Sequence, residues 1–464
     1  MASFSLEEVK KATKGRVLQV GKMSYCSGIS TDTRSLTAGE LFLPLEGENF
    51  NGHEFIFTAV QKGAAAVIIS HMSYLKDIPD EVSVLLVDDT KQALKDLAHY
   101  YRMKFDIPVV AITGSNGKTT TKDMISEVLS SKFKVCSTQR NFNNEIGLSL
   151  TLLSMTKETE VCVVEMGMRG LGQIKELCDI ASPTIGVITN VGTAHIGLLG
   201  SQANIAKAKR ELIDSLPDDG VAVLNGDDPL VMKMIDRFKG NVITYGLNGK
   251  YTVYGSDITY ESERTKYTCT CFDEAFRVKL NLLGVHNIYN ALAAIASARV
   301  LGIDIKKIQK NMDAFMPGQQ RQMLLKIGET TIIDDSYNAN PLSMKMAFLS
   351  LKQIKGTRHI LMLGDMGELG KLEKELHYQV GKAAGEMGFD GLVTVGALSK
   401  NIMKGAKETG GISWMKECQS CEEAARYLKE NTSEGDVILI KGSRSMHMEK
   451  ITGYWKDMLA ENGN

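Results

Sequence analysis

The stretch Val109-Val110-Ala111-Ile112-Thr113-Gly114-Ser115-Asn116-Gly117-Lys118-Thr119-Thr120-Thr121 decides the fold. Val109 to Ile112 form a continuous apolar run of strand length. Gly114 and Gly117 mark a turn, and Thr120 to Leu129 reads as a helix. Strand, glycine-bearing loop and helix together make a P-loop arrangement. The glycines let backbone N–H groups turn towards phosphate oxygens, and the helix N-terminus adds partial positive charge. In such a loop Lys118 reaches the β- and γ-phosphates and the Thr119 hydroxyl holds Mg²⁺, so ATP and Mg²⁺ are the expected ligands. Only Ser115 and Asn116 separate the two glycines, a shortening of the general pattern. Two alternatives are a chance glycine turn before a lysine and a dinucleotide fingerprint. The fingerprint needs G-x-G-x-x-G and an acidic residue about 20 residues on, and this loop lacks that glycine pattern.

On the C-terminal side, further apolar runs follow at Val161–Val164, Ile185–Ile188 and Val221–Leu224, with helical stretches between them. Apolar strands alternating with helices predict a mostly parallel sheet covered on both faces. A third block begins near Met316-Pro317-Gly318 and repeats the alternation, with strands at 331–333, 360–363, 392–395 and 437–440. It predicts a second, Rossmann-like parallel sheet. On the N-terminal side, shorter runs at 41–45, 65–69 and 84–87 predict a small α/β domain, followed by a helix from about 90 to 103. The fold class is therefore α/β in three domains, at 1–105, 106–315 and 316–464. The length of 464 residues agrees, at roughly 150 residues per domain.

Charge is balanced, 54 Lys+Arg against 55 Asp+Glu, which argues against a nucleic-acid partner. The N-terminus lacks a signal-peptide pattern. No apolar stretch approaches the roughly 18 residues that span a bilayer. These features predict a cytoplasmic protein. The 8 Cys are scattered, as expected of reduced thiols. The one CxxC, Cys418 to Cys421, overlaps Ser420-Cys421-Glu422-Glu423, which reads as a capping box at a helix start.

Ligands of parallel sheets gather at the carboxyl ends of strands. Two such ends carry groups able to bind metal: Glu165, and His195 in Thr189-Asn190-Val191-Gly192-Thr193-Ala194-His195. Each alone is a weak signal, but together they share the sheet edge with the phosphate loop. Lys209 follows on a helix, and its spacing reads as a solvated face.

At this point the motifs resemble a family. Thr113 to Thr121 is similar to the shortened P-loop of the Mur ligases, the ATP-dependent enzymes that build the peptide stem of peptidoglycan. Asn141-Phe142-Asn143-Asn144-Glu145-Ile146-Gly147, Glu165-Met166-Gly167 and Gly284-Val285-His286-Asn287-Ile288-Tyr289-Asn290-Ala291 fit as well. Three strings in the last block resemble the branch that joins D-alanyl-D-alanine to UDP-N-acetylmuramoyl-tripeptide. They are Asp334 to Pro341, Leu363 to Gly370, and Lys441 to Ser445. The Asp-Asn-Pro-Arg string of the branch that adds a single diamino acid does not occur. A sibling ligase and a P-loop ATPase switch are the competing classes.

The resemblance implies an acyl-phosphate mechanism carried out by a monomer. It implies catalytic roles for Lys118, Glu165, His195 and Lys209. Thr119 and Glu165 would hold one ion, with His195 near a second. Lys209 would become a metal ligand if carbamylated. ATP would meet Gly114, Ser115, Asn116, Gly117, Lys118, Thr119, Thr120 and Arg321, with Asn287 and Asn290 on its adenine side. The UDP-sugar would meet Ser30, Thr31, Asp32, Arg34, Asn51, Gly52 and His53. Asn141, Asn144, Asp335, Tyr337, Asn338 and Asn340 would face the peptide substrates in the cleft.

Overall fold

The computed structural model describes residues 2–261 and 263–460. Nine strands form the central sheet, in the order Val135–Ser137, Val161–Glu165, Val109–Thr113, Ile185–Ile188, Val221–Asn225, Asn241–Gly246, Val253–Glu261, Arg264–Cys271 and Glu274–Leu280. The first seven run parallel. Val109–Thr113 lies between Val161–Glu165 and Ile185–Ile188, with Ile112 opposite Glu165 and Thr113 opposite Ile188. The chain winds to one side of this strand and then to the other, so the crevice at its carboxyl end is a topological switch point. The phosphate loop, Glu165 and the segment leading to His195 all leave the sheet there.

The helix after the loop is Lys118–Leu129, two residues longer at its start than the sequence suggests. Lys118 and Thr119 therefore sit in its first turn, where backbone N–H groups have no partner within the helix. The last three strands of the sheet form an antiparallel meander that carries no continuous apolar run and is absent from the sequence expectation. In Arg264–Cys271 burial alternates, with Thr265, Tyr267, Cys269 and Cys271 inward.

The C-terminal sheet has six strands, ordered Met323–Ile327, Thr330–Asp334, Val437–Lys441, His359–Gly364, Phe389–Val395 and Ile412–Cys418. All neighbours are parallel except the first pair. The N-terminal sheet has five strands, Arg16–Gln19, Ser83–Leu86, Ala66–Ile69, Leu41–Phe42 and Ile29–Ser30, again with only the first pair antiparallel.

The helix Thr90–Arg102 carries the first domain onto the central one. Tyr101 Oη donates to Met155 O at 2.9 Å and Arg102 Nε to Ala181 O at 3.0 Å. Its apolar face belongs to one core that takes residues from Ala2 to Met234 and so spans both domains. All eight Cys are free thiols. Ser420 caps the helix Cys421–Asn431, but Glu423 accepts from the Gln419 N–H instead of the Ser420 N–H, so the box is only half formed.

Candidate active site

The strand Val109–Thr113 is wholly buried, which fixes the origin of the loop. Gly117 caps the following helix with φ +80, and a Cβ there would lie 2.3 Å from Asn290 Oδ1. Only glycine meets both demands. The loop is braced from the neighbouring strand end. Asn116 N–H donates to Asn190 Oδ1 at 3.0 Å, Thr189 Oγ1 donates to Asn116 O at 2.6 Å, and Gly192 N–H donates to Ser115 Oγ at 2.8 Å. Thr120 lines the same cleft.

Lys118 Nζ folds back onto Gly114 O at 2.9 Å. Burial pushes its amine below the usual lysine value, Glu165 pulls it up, and Arg321 adds to the depression. Thr119 Oγ1 donates to Glu165 Oε2 at 2.6 Å and accepts from Arg321 Nη2 at 3.0 Å. Glu165 is 2% exposed, its other oxygen accepts from Asn143 Nδ2 at 2.8 Å, and its backbone N–H donates to Thr138 Oγ1. One hydroxyl thus joins two domains. Arg321 also stacks over the Tyr337 ring, 3.9 Å from its centroid. Asn143 and Thr138 were not singled out from the sequence. Asn143 lies within the quoted string Asn141 to Gly147, between the two asparagines chosen.

Lys209 departs from its expected solvated position. It is 2% exposed on the helix Gln202–Asp214. No hydrogen bond to its amine is found among the described residues. Burial, followed by the Lys118 charge, holds it well below the usual lysine value. His195 is half-buried, at φ +64, with Nδ1 2.6 Å from Glu368 Oε2. Burial lowers its basicity, Glu368 raises it, and Lys118 and Lys209 lower it further. Lys118, His195 and Lys209 are thus one electrostatic cluster.

Asn287 and Asn290 are buried behind the loop. Asn290 Nδ2 donates to Asn287 Oδ1 at 3.0 Å, and Asn290 Oδ1 accepts from Thr121 Oγ1 at 3.2 Å. Asn287 Nδ2 donates to Gln322 Oε1 at 2.7 Å, and Gln322 Nε2 donates to Ser350 Oγ at 3.1 Å. Gln322 therefore bolts the linker to both domains. It gave no sequence signal, because its partners lie in different domains.

In the C-terminal domain Asp335 pairs with the buried Lys441 at 2.6 Å. Asn338 Oδ1 accepts from the Ala339 N–H. Asn340 caps the helix Pro341–Gln353, and its Nδ2 donates to Asn116 Oδ1 of the phosphate loop at 2.6 Å. Asn144 caps the helix Glu145–Leu153, and Asn141 is exposed at the cleft. The cleft between the central and C-terminal domains has a volume of about 1300 Å³ and is lined from both.

The N-terminal candidates lie apart from that cleft. Asp32 and Arg34 pair with each other, Nη2 to Oδ2 at 2.6 Å, and Ser30 Oγ donates to Asp32 O. Thr31 sits in the same turn. Asn51 Oδ1 accepts from the His53 N–H at 3.0 Å. His53 is 3% exposed, stacks on Tyr74 with centroids 4.4 Å apart, and accepts the Ser70 N–H on Nε2. That commits His53 to holding the turn. The two stretches flank one segment, since Leu43 N–H donates to Ser30 O and Gly52 N–H to Leu45 O.

Comparison with known proteins agrees with this architecture. Residues 112–298 match the Mur ligase middle domain, 321–444 the Mur ligase glutamate ligase domain, and 26–102 the Mur ligase family catalytic domain. The chain is 39% identical to the UDP-N-acetylmuramoyl-tripeptide–D-alanyl-D-alanine ligase of Bacillus subtilis, over 99% of each chain. It superposes on a crystal structure of MurF from Acinetobacter baumannii with a TM-score of 0.91, at 29% identity, covering 98% of this chain and 99% of that one. For the MurF ligase of Thermotoga maritima in complex with ADP the TM-score is 0.84, at 28% identity, covering 94% and 98%.

Proposed function

The chain belongs to the Mur ligase family, and from that premise we propose how its cleft works. It is an ATP-dependent ligase that joins D-alanyl-D-alanine to UDP-N-acetylmuramoyl-tripeptide in peptidoglycan precursor synthesis. The observation that carries the mechanism is the Thr119 hydroxyl, 2.6 Å from Glu165 of its own domain and 3.0 Å from Arg321 of the next.

A carboxylate is a poor acyl donor, because its charge is delocalised and oxide is a bad leaving group. The tripeptide carboxylate oxygen therefore attacks the γ-phosphorus of ATP, and the bond to the bridging oxygen breaks to release ADP. The amine of D-alanyl-D-alanine then attacks the acyl carbon. A C–N bond forms, the C–O bond to phosphate breaks, and the amine's surplus proton goes to solvent. Catalysis of this kind is chiefly positioning and charge stabilisation. Lys118 and the N–H groups of residues 117–120, at the start of the helix, hold the phosphates, while the Ser115 and Asn116 N–H groups are engaged by Asn190. Arg321 brings a second positive group when the C-terminal domain is in place.

Among the described residues no three His, Cys, Asp or Glu side chains form a metal cage. The Thr119 hydroxyl and the Glu165 carboxylate, 2.6 Å apart, are two hard oxygens of the kind that suits Mg²⁺, which takes one or two protein oxygens and completes its shell with phosphates and water. Glu165 and Thr119 would hold it, where it supplies neutralisation of phosphate charge. Lys209, an enclosed amine whose basicity burial depresses, is suited to carbamylation, and with His195 it would serve a second ion. Asn287 and Asn290 set the floor of the nucleotide site. Asp335, Tyr337, Asn338 and Asn340 shape the half that receives D-alanyl-D-alanine. The first domain holds the uridine diphosphate end through residues 30–34 and 51–53, and the peptide stem reaches from there to the cleft. The scheme needs one copy of the chain and no nucleic acid. No helix among the described residues is long and apolar enough to cross a membrane.

Phosphate release tests the reading. It is expected to need UDP-tripeptide and D-alanyl-D-alanine together, and steady release with ATP alone would overturn it. A panel of UDP-tripeptides and dipeptides reads out the specificity.

A further inference from the structure

The string from Leu363 to Gly370 holds two charged residues with no part in the scheme above, Asp365 and Glu368. Their loop is rigidly built. Asp365 accepts the Ser399 N–H at 2.6 Å, the Met366 N–H donates to His377 Nε2 at 2.8 Å, and Met366 and Leu369 are buried at 1% and 2% exposure. Between those two anchors Glu368 is held at φ +61, a conformation that non-glycine residues adopt only when their surroundings impose it. Its carboxylate crosses to the central domain. Oε2 lies 2.6 Å from His195 Nδ1 and Oε1 3.1 Å from Arg169 Nε. His195 is itself at φ +64, so two constrained backbones present these side chains to each other.

A steric contact lies beside the charged one. A Cβ on Gly197 would come 2.5 Å from the Gly370 backbone nitrogen, and a Cβ on Gly370 would come 2.8 Å from Gly197 Cα. The two backbones meet with no room for a side chain on either.

We propose that Glu368, gripped by His195 and Arg169 where Gly197 meets Gly370, is a positioning residue that sets the angle of the C-terminal domain across the cleft. The Arg321 and Asn340 contacts flank the strand Thr330–Asp334. Glu368 follows His359–Gly364, with Val437–Lys441 between the two strands in the sheet. Two strand spacings put these contacts about 10 Å apart along the sheet edge. Bodies joined along one line can rock about it, and a contact off that line stops the rocking. Pairs as exposed as Arg169 and Glu368, at 73% and 38%, add little to static stability. The clasp can therefore release as well as engage. Its consequence is kinetic, because a misplacement of about 1 Å between reacting groups costs about 100-fold in rate.

This rests on the reading that the C-terminal domain presents the amine. G197A isolates the clasp. Gly197 lies in the short helix Ile196–Leu199 without a left-handed φ, so alanine is locally favourable there and meets an obstacle only across the cleft. G197A, E368A and R169A/E368A would be compared with wild type. The expected result is kcat lowered at least about 10-fold, KM for ATP within about twofold, and an unchanged Tm, with the double variant no slower than E368A. Small-angle scattering with an ATP analogue should show a larger radius of gyration for G197A and E368A than for wild type. Wild-type kcat in both single variants, multiplicative losses in the double variant, or scattering identical to wild type would each overturn the clasp. A wild-type enzyme that fails to couple UDP-tripeptide to D-alanyl-D-alanine would overturn the functional reading instead, and scattering would still decide the clasp.

Discussion

Replacing Lys209 by methionine distinguishes a buried neutral amine from a buried cation. The side chain is 2% exposed and its charged neighbour is Lys118. Burying a cation without a partner costs several kcal/mol, so burial favours the neutral amine in the folded chain. The sign follows from proton counting. The folded value lies well below the 10.5 of the unfolded chain. Between those two values the unfolded chain binds one proton more, so stability rises with pH and is lost as pH falls through the window. The slope is about 1.4 kcal/mol per pH unit. For a unit the size of the central domain, 1 kcal/mol moves Tm by about 2–4 °C. The Lys209→Met variant lacks this slope. In CO₂-free calorimetry, the variant should exceed wild type at about pH 8.5 by roughly 3–6 °C more than at about pH 9.5. Bicarbonate should then raise the wild-type Tm, because a carbamate forms preferentially on the folded amine, which is less protonated than in the unfolded chain. It should leave the variant unmoved, and the variant should be inactive with or without it. An unchanged gap at the two pH values, with no bicarbonate response in wild type, would refute the neutral amine.

Arg321→Lys keeps the charge but loses the planar stack on Tyr337 and the fork that reaches Thr119. A loss of about 1.5–3 kcal/mol predicts kcat/KM for ATP down about 10- to 100-fold in a coupled ADP assay, and unchanged kinetics would make the contact incidental. Gly117→Ala drives a Cβ to 2.3 Å from Asn290 Oδ1 at φ +80. ADP affinity by calorimetry should fall at least about 10-fold, and adding Asn290→Ala should recover part of it by removing the clash. Burial, partly offset by Asp335, holds His286 down at about 4 against an ordinary 6.5. The unfolded chain takes that proton first, so wild type should lose about 3 kcal/mol as pH falls from 6.5 to 4. His286→Gln should flatten that slope in urea unfolding, and an equally steep variant would place the titration elsewhere.

The parts legible in the sequence were those whose physics is local. Val109–Thr113 and its parallel neighbours are buried on both faces, so they read as continuous apolar runs. The meander at 253–280 has one face partly solvated, and its signal was alternation: Thr265, Tyr267, Cys269 and Cys271 point inward between polar residues. Lys209 also left a trace. Ile205, Ala208, Leu212 and Ile213 are the buried stripe of its helix, and Lys209 occupies the remaining place at that spacing. A cation in an apolar stripe has the same periodicity as a solvated face only if its neighbours at three and four residues are ignored. Gln322 and Glu368 carried no such trace, because each is defined by partners in another domain.

Those cross-domain partners explain why this fold should make a ligase and not a free-running ATPase. The phosphate loop, Lys118 and Glu165 belong to the central domain, and in the proposed scheme they would bind nucleotide without help from the C-terminal one. Arg321, which completes the shell of Thr119, arrives from 202 residues further on, and Asn340 reaches Asn116 from 224 residues away. Both arrive only when the C-terminal domain is seated. In the proposed scheme, charge stabilisation of the transferring phosphoryl group would be incomplete with that domain unseated and the cleft open to water. It would be complete with the domain seated, when the cleft also holds the carboxylate and the amine. Productive transfer is thereby tied to the presence of the acceptors, which is why phosphate release with and without them is the sharpest test of the assignment.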